Sequence, residues 1–200
     1  MLGIEDKKKQ VIGLYGEMQL SMRLHELGWQ VHRAYIDEGI DFVITKYYCP
    51  KCKKYSNQWI RGKCVTNLCD NCKNTELQVI SRYLQVKTSE GIPTDKDSEK
   101  KFSFHPKIRY DMGKEVFYVW IAVFDSKIDK LCHFYIFNTK DVKCFDNTDL
   151  PCYQITDNQK TELTIRNDGV ITKNGRLYDY SCFNNKFYEH WNALELENLS

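Results

Sequence analysis

Two stretches decide how this chain folds: Gly39-Ile40-Asp41-Phe42-Val43-Ile44-Thr45-Lys46, and Leu77-Gln78-Val79-Ile80-Ser81-Arg82-Tyr83-Leu84-Gln85-Val86-Lys87. Both are rich in β-branched and aromatic residues, and the turn-prone Asp37-Glu38-Gly39 precedes the first, so strands are expected over 40–46 and 77–87. If they pair as a hairpin, the segment between them is an insertion at its tip. Side chains alternate along a strand. Gln85 and Lys87 then share one face and Leu84 and Val86 the other, with Asp41 facing Gln85 and Lys87 across the pair.

The insertion, residues 47–78, holds Cys49-Pro-Lys-Cys52 and Cys69-Asp-Asn-Cys72. Two C-x2-C knuckles at this separation can present four thiolates to one tetrahedral Zn2+. The segment has too few apolar residues to fold by burial, so the metal supplies its folding energy. Cys64 is a fifth candidate that competes for the fourth position. Between Lys46 and Gln78 lie seven basic residues and two acidic ones, interleaved with Tyr47, Tyr48, Tyr55 and Trp59. Cations for phosphates beside aromatic faces are the combination that holds nucleic acid. On this reading Lys51, Lys53, Lys54, Trp59, Arg61 and Lys63 are the contact residues, and the competing reading makes the aromatics a mini-core of the ribbon.

Outward from the hairpin, residues 6–28 read as a helix. Val11, Tyr15, Met18, Met22 and the Leu24/Leu27 pair recur at three-to-four spacing, and Gly28 is a natural stop. Gly13 and Gly16 each cost about 1 kcal/mol inside a helix unless something approaches the backbone closely. Glu17 adds a carboxylate above the Asp41 position. Gln30–Arg33 is a short strand, 88–101 a polar loop, and strands follow at 102–104, 116–124, 131–137, 161–165 and 169–171. The run Phe117-Tyr-Val-Trp-Ile-Ala-Val-Phe124 is nearly all apolar, as expected of a strand covered on both faces. Phe187, Trp191 and Leu194 form a stripe of a terminal helix. The expectation is an α/β chain: a central mixed β-sheet flanked by helices, with a core of residues 1–46 and 79–200 and an inserted zinc ribbon at 47–78.

Composition bounds the function. The chain has 200 residues, 42% of them hydrophobic and 28% charged, which excludes a coiled coil, a collagen-like chain and a disordered tail. Its net charge of +2 hides a basic insertion in a slightly acidic remainder. Nine cysteines, an odd number with five of them between Cys49 and Cys72, are unlike a secreted disulfide framework. The charged start and the lack of long apolar runs point to a cytoplasmic protein away from the membrane.

A carboxylate, a polar oxygen and a lysine converging on one point suit metal-assisted phosphodiester hydrolysis. Mg2+ needs only one or two carboxylates plus substrate phosphate, and a lysine can orient the attacking water and stabilise the charge that develops. An ordinary salt bridge is the competing reading of the same spacing.

Gly16-Glu17, Leu27-Gly28-Trp29-Gln30-Val31, Gly39-Ile40-Asp41 and Leu84-Gln85-Val86-Lys87-Thr88-Ser89 together resemble the PD-(D/E)XK nuclease superfamily, with its restriction-endonuclease-like fold. The nearest pattern is the branch with Gln in the third motif, seen in Mrr-type restriction endonucleases and in a prokaryotic family ending this motif in QVK. Archaeal Holliday-junction resolvases share the layout. The resemblance implies Asp41 as principal metal ligand, Glu17 as a second or outer ligand, Gln85 in the usual acidic position, the Val86 carbonyl as a further ligand and Lys87 as the catalytic lysine. Mg2+ or Mn2+ is then the catalytic ion, and DNA the substrate, in a restriction or anti-phage role. Nucleases of this fold often act as homodimers. Two departures stand out: Gln85 replaces a charged ligand, and the interval from Asp41 to Gln85 is long until the ribbon is excised. A catalytically silent nuclease-like fold that binds nucleic acid or a protein through the ribbon is the alternative.

His25, His32 and His105 read as ordinary surface histidines, Asp125 as a turn cap, and Cys132, Cys144, Cys152 and Cys182 as small buried hydrophobes.

Overall fold

The computed structural model of the chain describes residues 3–34, 39–56, 68–93, 100–104, 116–123, 132–144, 161–166, 169–172, 177–179 and 185–195. Helix α1 spans Ile4–Glu26, with Glu5 and Asp6 in its first turn and Arg23 and His25 in its last, each sign suited to the helix dipole. Gly28, at φ 83°, ends it where expected. The buried face is Ile12, Gly16, Leu20 and Leu24, which shares only Leu24 with the stripe read from the sequence. Val11, Met18 and Met22 lie exposed on the other side. Apolar residues recur at helical spacing on both faces, and the sheet takes the face whose glycine lets the backbones approach.

The strands are β1 (Gln30–Arg33), β2 (Phe42–Cys49), β3 (Lys54–Ser56), β4 (Gln78–Glu90), β5 (Ile92–Pro93), β6 (Lys100–Phe104), β7 (Val116–Val123), β8 (Cys132–Asn138), β9 (Thr161–Arg166), β10 (Gly169–Thr172) and β11 (Leu177–Asp179). The central sheet runs β1-β2-β4-β7-β8, with β3 on the outer edge of β2. It is mixed: β4 and β7 are parallel and the other neighbours antiparallel.

The hairpin forms as expected, β2 and β4 pairing from Phe42↔Leu84 to Tyr48↔Gln78. Its strands are longer than the sequence suggested. β2 continues unbroken to Cys49, so the base of the ribbon is an extension of the sheet. β4 continues to Glu90 because β7 offers a parallel partner, Thr88 pairing with Ile121 and Ser89 with Ala122. Part of the expected 88–101 loop is therefore strand.

Leu20, Leu24 and Trp29 cover one face of the sheet, against Phe42, Ile44, Leu84, Val86, Val119 and Ile136. Each such side chain, fully buried, contributes about 1.5–3 kcal/mol. The opposite face is covered differently from the expected helices. A five-stranded antiparallel sheet, β11-β10-β9-β6-β5, lays Phe102 and Phe104 on Trp120 and Phe137. Helix α2 (Thr139–Cys144) contributes Val142, and its N-terminus is closed reciprocally: Asp141 N–H donates to Asn138 Oδ1, and Asn138 N–H to Asp141 Oδ2. All eight residues of β7 are buried, as the apolar run requires.

The C-terminal stripe is corrected. Phe187, Trp191 and Leu194 are buried, but on opposite faces of the sheet. Phe187 packs on Phe137 on one face; Glu189, at φ 46°, turns the chain round the edge of β8, its N–H donating to Phe134 O; Trp191 then packs on Phe134 on the other face. A short 3-10 turn, Trp191–Leu194, stands where a helix was expected. No helix among the described residues is long and apolar enough to cross a membrane.

Candidate active site and metal centre

Asp41 sits where β2 begins and is fixed on three sides. Its N–H donates to Leu84 O (2.8 Å), its carbonyl accepts from Ala34 N–H (3.1 Å), and its Oδ2 accepts from Val86 N–H. The N–H and C=O of one strand residue point to the same side. The Val86 carbonyl therefore also faces this edge, one step beyond the last β2 pair. Gly39, at φ 83°, makes the turn that delivers the chain to Asp41.

Gln85 is fully buried, and its Nε2 donates to Gly39 O at 2.7 Å. A carboxylate at this position has no proton to donate, so glutamine is what lets the side chain hold the turn. Lys87, two residues on, is half-buried, and no hydrogen bond or ion pair among the described residues holds its ammonium.

Glu17 reaches the same edge from α1. Helix and strand meet there because Gly16 lies directly against Thr88. Burial raises the Glu17 pKa; Arg33 lowers it, Asp41 raises it and Lys87 lowers it, with a net rise. Those influences place Asp41, Lys87 and Arg33 within electrostatic reach of Glu17. Arg33 Nη2 pairs with Glu17 Oε2 at 3.0 Å. Sequence reasoning missed Arg33, although β1 ends at Arg33↔Phe42, one step from Asp41, so the register carried the signal.

The four expected cysteines form the second centre. Cys49 and Cys72 Sγ are 3.5 Å apart, as are Cys52 and Cys69, and all four lie within 4.8 Å of one another. Tetrahedral Zn2+ with bonds of about 2.3 Å sets sulfurs about 3.8 Å apart, so the donor set fits. The residue after each knuckle, Lys53 and Lys73, takes positive φ (53° and 58°), so both knuckles turn alike. Cys69 N–H donates to Asn74 O, and Asn74 Nδ2 to Cys49 Sγ. Desolvation opposes ionisation of Cys49, but the hydrogen bonds it accepts from Cys52 and Cys72 bring it down to about 6. Cys72 goes up to about 11: a bond from Asn74 lowers it, and desolvation and the neighbouring sulfurs outweigh that. Four sulfurs sharing few protons are what a divalent cation relieves. Among the described residues these four form the one cluster able to hold a metal with three or more His, Cys, Asp or Glu ligands.

Lys51, Lys53, Lys54 and Lys73 are exposed on the ribbon. Lys46 is not; it is 4% exposed. Its Nζ donates to Leu27 O and pairs with Glu195 Oε1, both at 2.7 Å, and lies 5.5 Å from the Trp29 ring and 5.6 Å from Tyr55. This base of the insertion is a pin joining the end of α1, the ribbon and the C-terminal turn. Tyr48 is buried, and Tyr55 packs on Tyr48 (5.2 Å) and Trp29 (6.1 Å), so these aromatics form the mini-core. Cys64, Trp59, Arg61 and Lys63 lie outside the described residues, as do His105, Asp125, Cys152 and Cys182. His25 and His32 are exposed.

No family model matches the chain. It is 31% identical over 81 residues to the type II restriction enzyme BslI subunit beta of Bacillus sp. (strain NEB-606), which is 40% of this chain and 26% of that subunit. The chain is therefore matched to about a quarter of that relative's length. Superposed on the solved structure of the bacterial homing endonuclease I-Ssp6803I, it gives a TM-score of 0.41 at 15% identity, covering 92% of this chain and 88% of the other.

Proposed function

We propose that this chain is a metal-dependent nuclease that hydrolyses phosphodiester bonds of DNA, with the ribbon as a zinc-stabilised clamp. What supports the reading is that the Gly16–Thr88 contact sets Glu17 of α1 over β4, where Asp41, Lys87 and Arg33 all bear on its charge. A DNA substrate and a restriction or anti-phage role rest on the relative being a restriction-enzyme subunit.

Asp41, Glu17 and the Val86 carbonyl would hold Mg2+ or Mn2+. This all-oxygen set suits a hard cation that keeps several waters, and such an ion, when bound, polarises the phosphate and acidifies a water. Asp41 keeps one oxygen on Val86 N–H and offers the other. Gln85 fixes Gly39 and so the approach of the chain to Asp41. Lys87 places a positive charge against the scissile phosphate and orients the attacking water. Arg33 neutralises Glu17 until phosphate, a better partner for guanidinium, arrives. Zn2+ at Cys49, Cys52, Cys69 and Cys72 is structural, and Lys51, Lys53 and Lys54 grip the backbone.

The commitment of Gln85 to Gly39 favours a second reading, a silent fold that binds DNA through the ribbon. Incubating supercoiled and linear DNA with the protein in Mg2+ or Mn2+, beside Asp41→Ala and Lys87→Ala, separates the two. Cleavage lost in both variants is the expected result. Salt-sensitive binding without cleavage in either metal overturns the enzyme reading in favour of the second.

A further inference from the structure

We propose that the outer face of the β1–β2 pair reads base edges in the major groove of duplex DNA, with Gln30 recognising an adenine. The inference rests on the DNA substrate proposed above and adds the residue that selects the sequence. Gln30 pairs with Thr45 in the antiparallel register, and His32 with Val43. These four side chains stand on the face opposite that of Val31 and Ile44, which pack with Leu20 and Leu24 of α1. The three polar groups form a chain. Thr45 Oγ1 donates to Gln30 Oε1 (3.4 Å) and so accepts from His32 Nε2 (3.3 Å). The Gln30 Nε2 protons have no other partner among the described residues. His32 is exposed, and Gln30 and Thr45 are half-buried. A glutamine held in this way offers a donor and an acceptor side by side, the pair that meets N7 and N6 of adenine. The threonine fixes which end of the amide is which.

The occupant is duplex DNA because this face is continuous with the proposed site at both ends. Counted in steps of two from Asp41, it carries Val43, Thr45, Tyr47 and Cys49, and exposed Lys54 pairs opposite Cys49. Thr45 is therefore about 13 Å along the strand from Asp41 and about 13 Å from the Lys54 pair. The readout row lies midway between the carboxylate proposed to hold the metal and a lysine proposed to grip the backbone. At about 3.4 Å per base pair, the adenine falls about four pairs from the scissile phosphate. β1, β2 and residues 78–83 of β4 contain no Asp or Glu, so nothing on this face repels phosphate. β1 is an edge strand, and a major groove about 12 Å wide takes two strands.

The purified protein, with no Mg2+ or Mn2+ added, is offered a pool of random duplex oligonucleotides, and the bound sequences are read. A fixed adenine should emerge. On the selected duplex, Gln30→Ala should weaken binding about tenfold or more. Its affinity for random duplex, its salt slope and its melting temperature should stay unchanged. Replacing the adenine by 7-deazaadenine, which lacks the N7 acceptor, should cost the wild type a similar factor and cost Gln30→Ala nothing. Thr45→Val should relax the adenine preference, and Thr45→Ser, which keeps the hydroxyl, should retain it. Duplex binding without an enriched adenine overturns the inference. So does a preference that survives Gln30→Ala, an equal loss on 7-deazaadenine in both proteins, enrichment from a single-stranded pool only, or no DNA binding at all. Cleavage plays no part in these readouts. Selective binding without cleavage counts against the nuclease reading alone, and cleavage without selectivity against this inference alone.

Discussion

Gly16 of α1 lies so close to Thr88 of β4 that a β-carbon on the glycine would sit 2.1 Å from the threonine hydroxyl oxygen. This contact sets the height of the helix over the strand. It brings Glu17, the next residue on α1, to the edge carrying Asp41 and Lys87. Gly13, three residues earlier, has nothing within 4 Å of its own would-be β-carbon, so close approach is specific to position 16.

Gly16→Ala should therefore lift α1 and lower stability by about 1–3 kcal/mol, the usual cost of overpacking. Any nuclease activity should fall further than stability, because Glu17 moves with the helix. Thr88→Ala in the same chain should recover most of both. Denaturant midpoints beside cleavage rates decide the matter; Gly13→Ala is the control and should stabilise or leave the protein unchanged.

Lys46→Ala removes a buried cation from Leu27 O and Glu195 and should cost about 2–4 kcal/mol in urea unfolding. It should leave the salt dependence of any DNA binding untouched. If that salt dependence drops while stability holds, Lys46 is a phosphate contact after all.

Lys51, Lys53 and Lys54 are predicted to behave in the opposite way. Each change to Ala should reduce the slope of log affinity against log salt by about 1 without lowering the melting temperature.

Purified reduced protein should contain one Zn2+ per chain, and Cys49→Ser or Cys72→Ser should lose it. If metal binding supplies most of the folding energy of the ribbon, chelation should expose residues 47–78 to protease first. Unchanged proteolysis on zinc removal would show that the Tyr48–Tyr55–Trp29 packing holds the ribbon alone.

Glu17 has a folded pKa above its ordinary value. The native state thus binds this proton more tightly than the unfolded chain. The associated stability is fully present below the ordinary carboxylate pKa and declines as pH rises through the raised folded value. Glu17→Gln should then be more stable than the wild type at neutral pH, and the difference should vanish in acid. In the nuclease reading, activity should climb over the same window as Glu17 ionises.

Much of the site was legible because its information is local. C-x2-C twice is enough to name four sulfurs, since each knuckle is a turn with its own geometry. Strand alternation and the Asp41 turn sufficed to expect the hairpin and its insertion. What escaped was whatever depends on a partner distant in sequence. α1 has two apolar faces, and the one that carries Gly16 is the one that meets Thr88 and the sheet. β4 outran its expected end because β7 lay beside it. Lys46 looked like its neighbouring ribbon lysines until Glu195 and Leu27 closed over it.

The C-terminal segment draws the line most clearly. From the sequence alone, Phe187, Trp191 and Leu194 had to be buried, because apolar area pulls them from water whatever the backbone does. Spacing could not say that they are buried on two sides of one sheet. That was decided by the free edge of β8, which accepts Glu189 N–H at Phe134 O and turns the chain across it. Burial follows from residue type; the surface that receives each side chain exists only once the strands have paired.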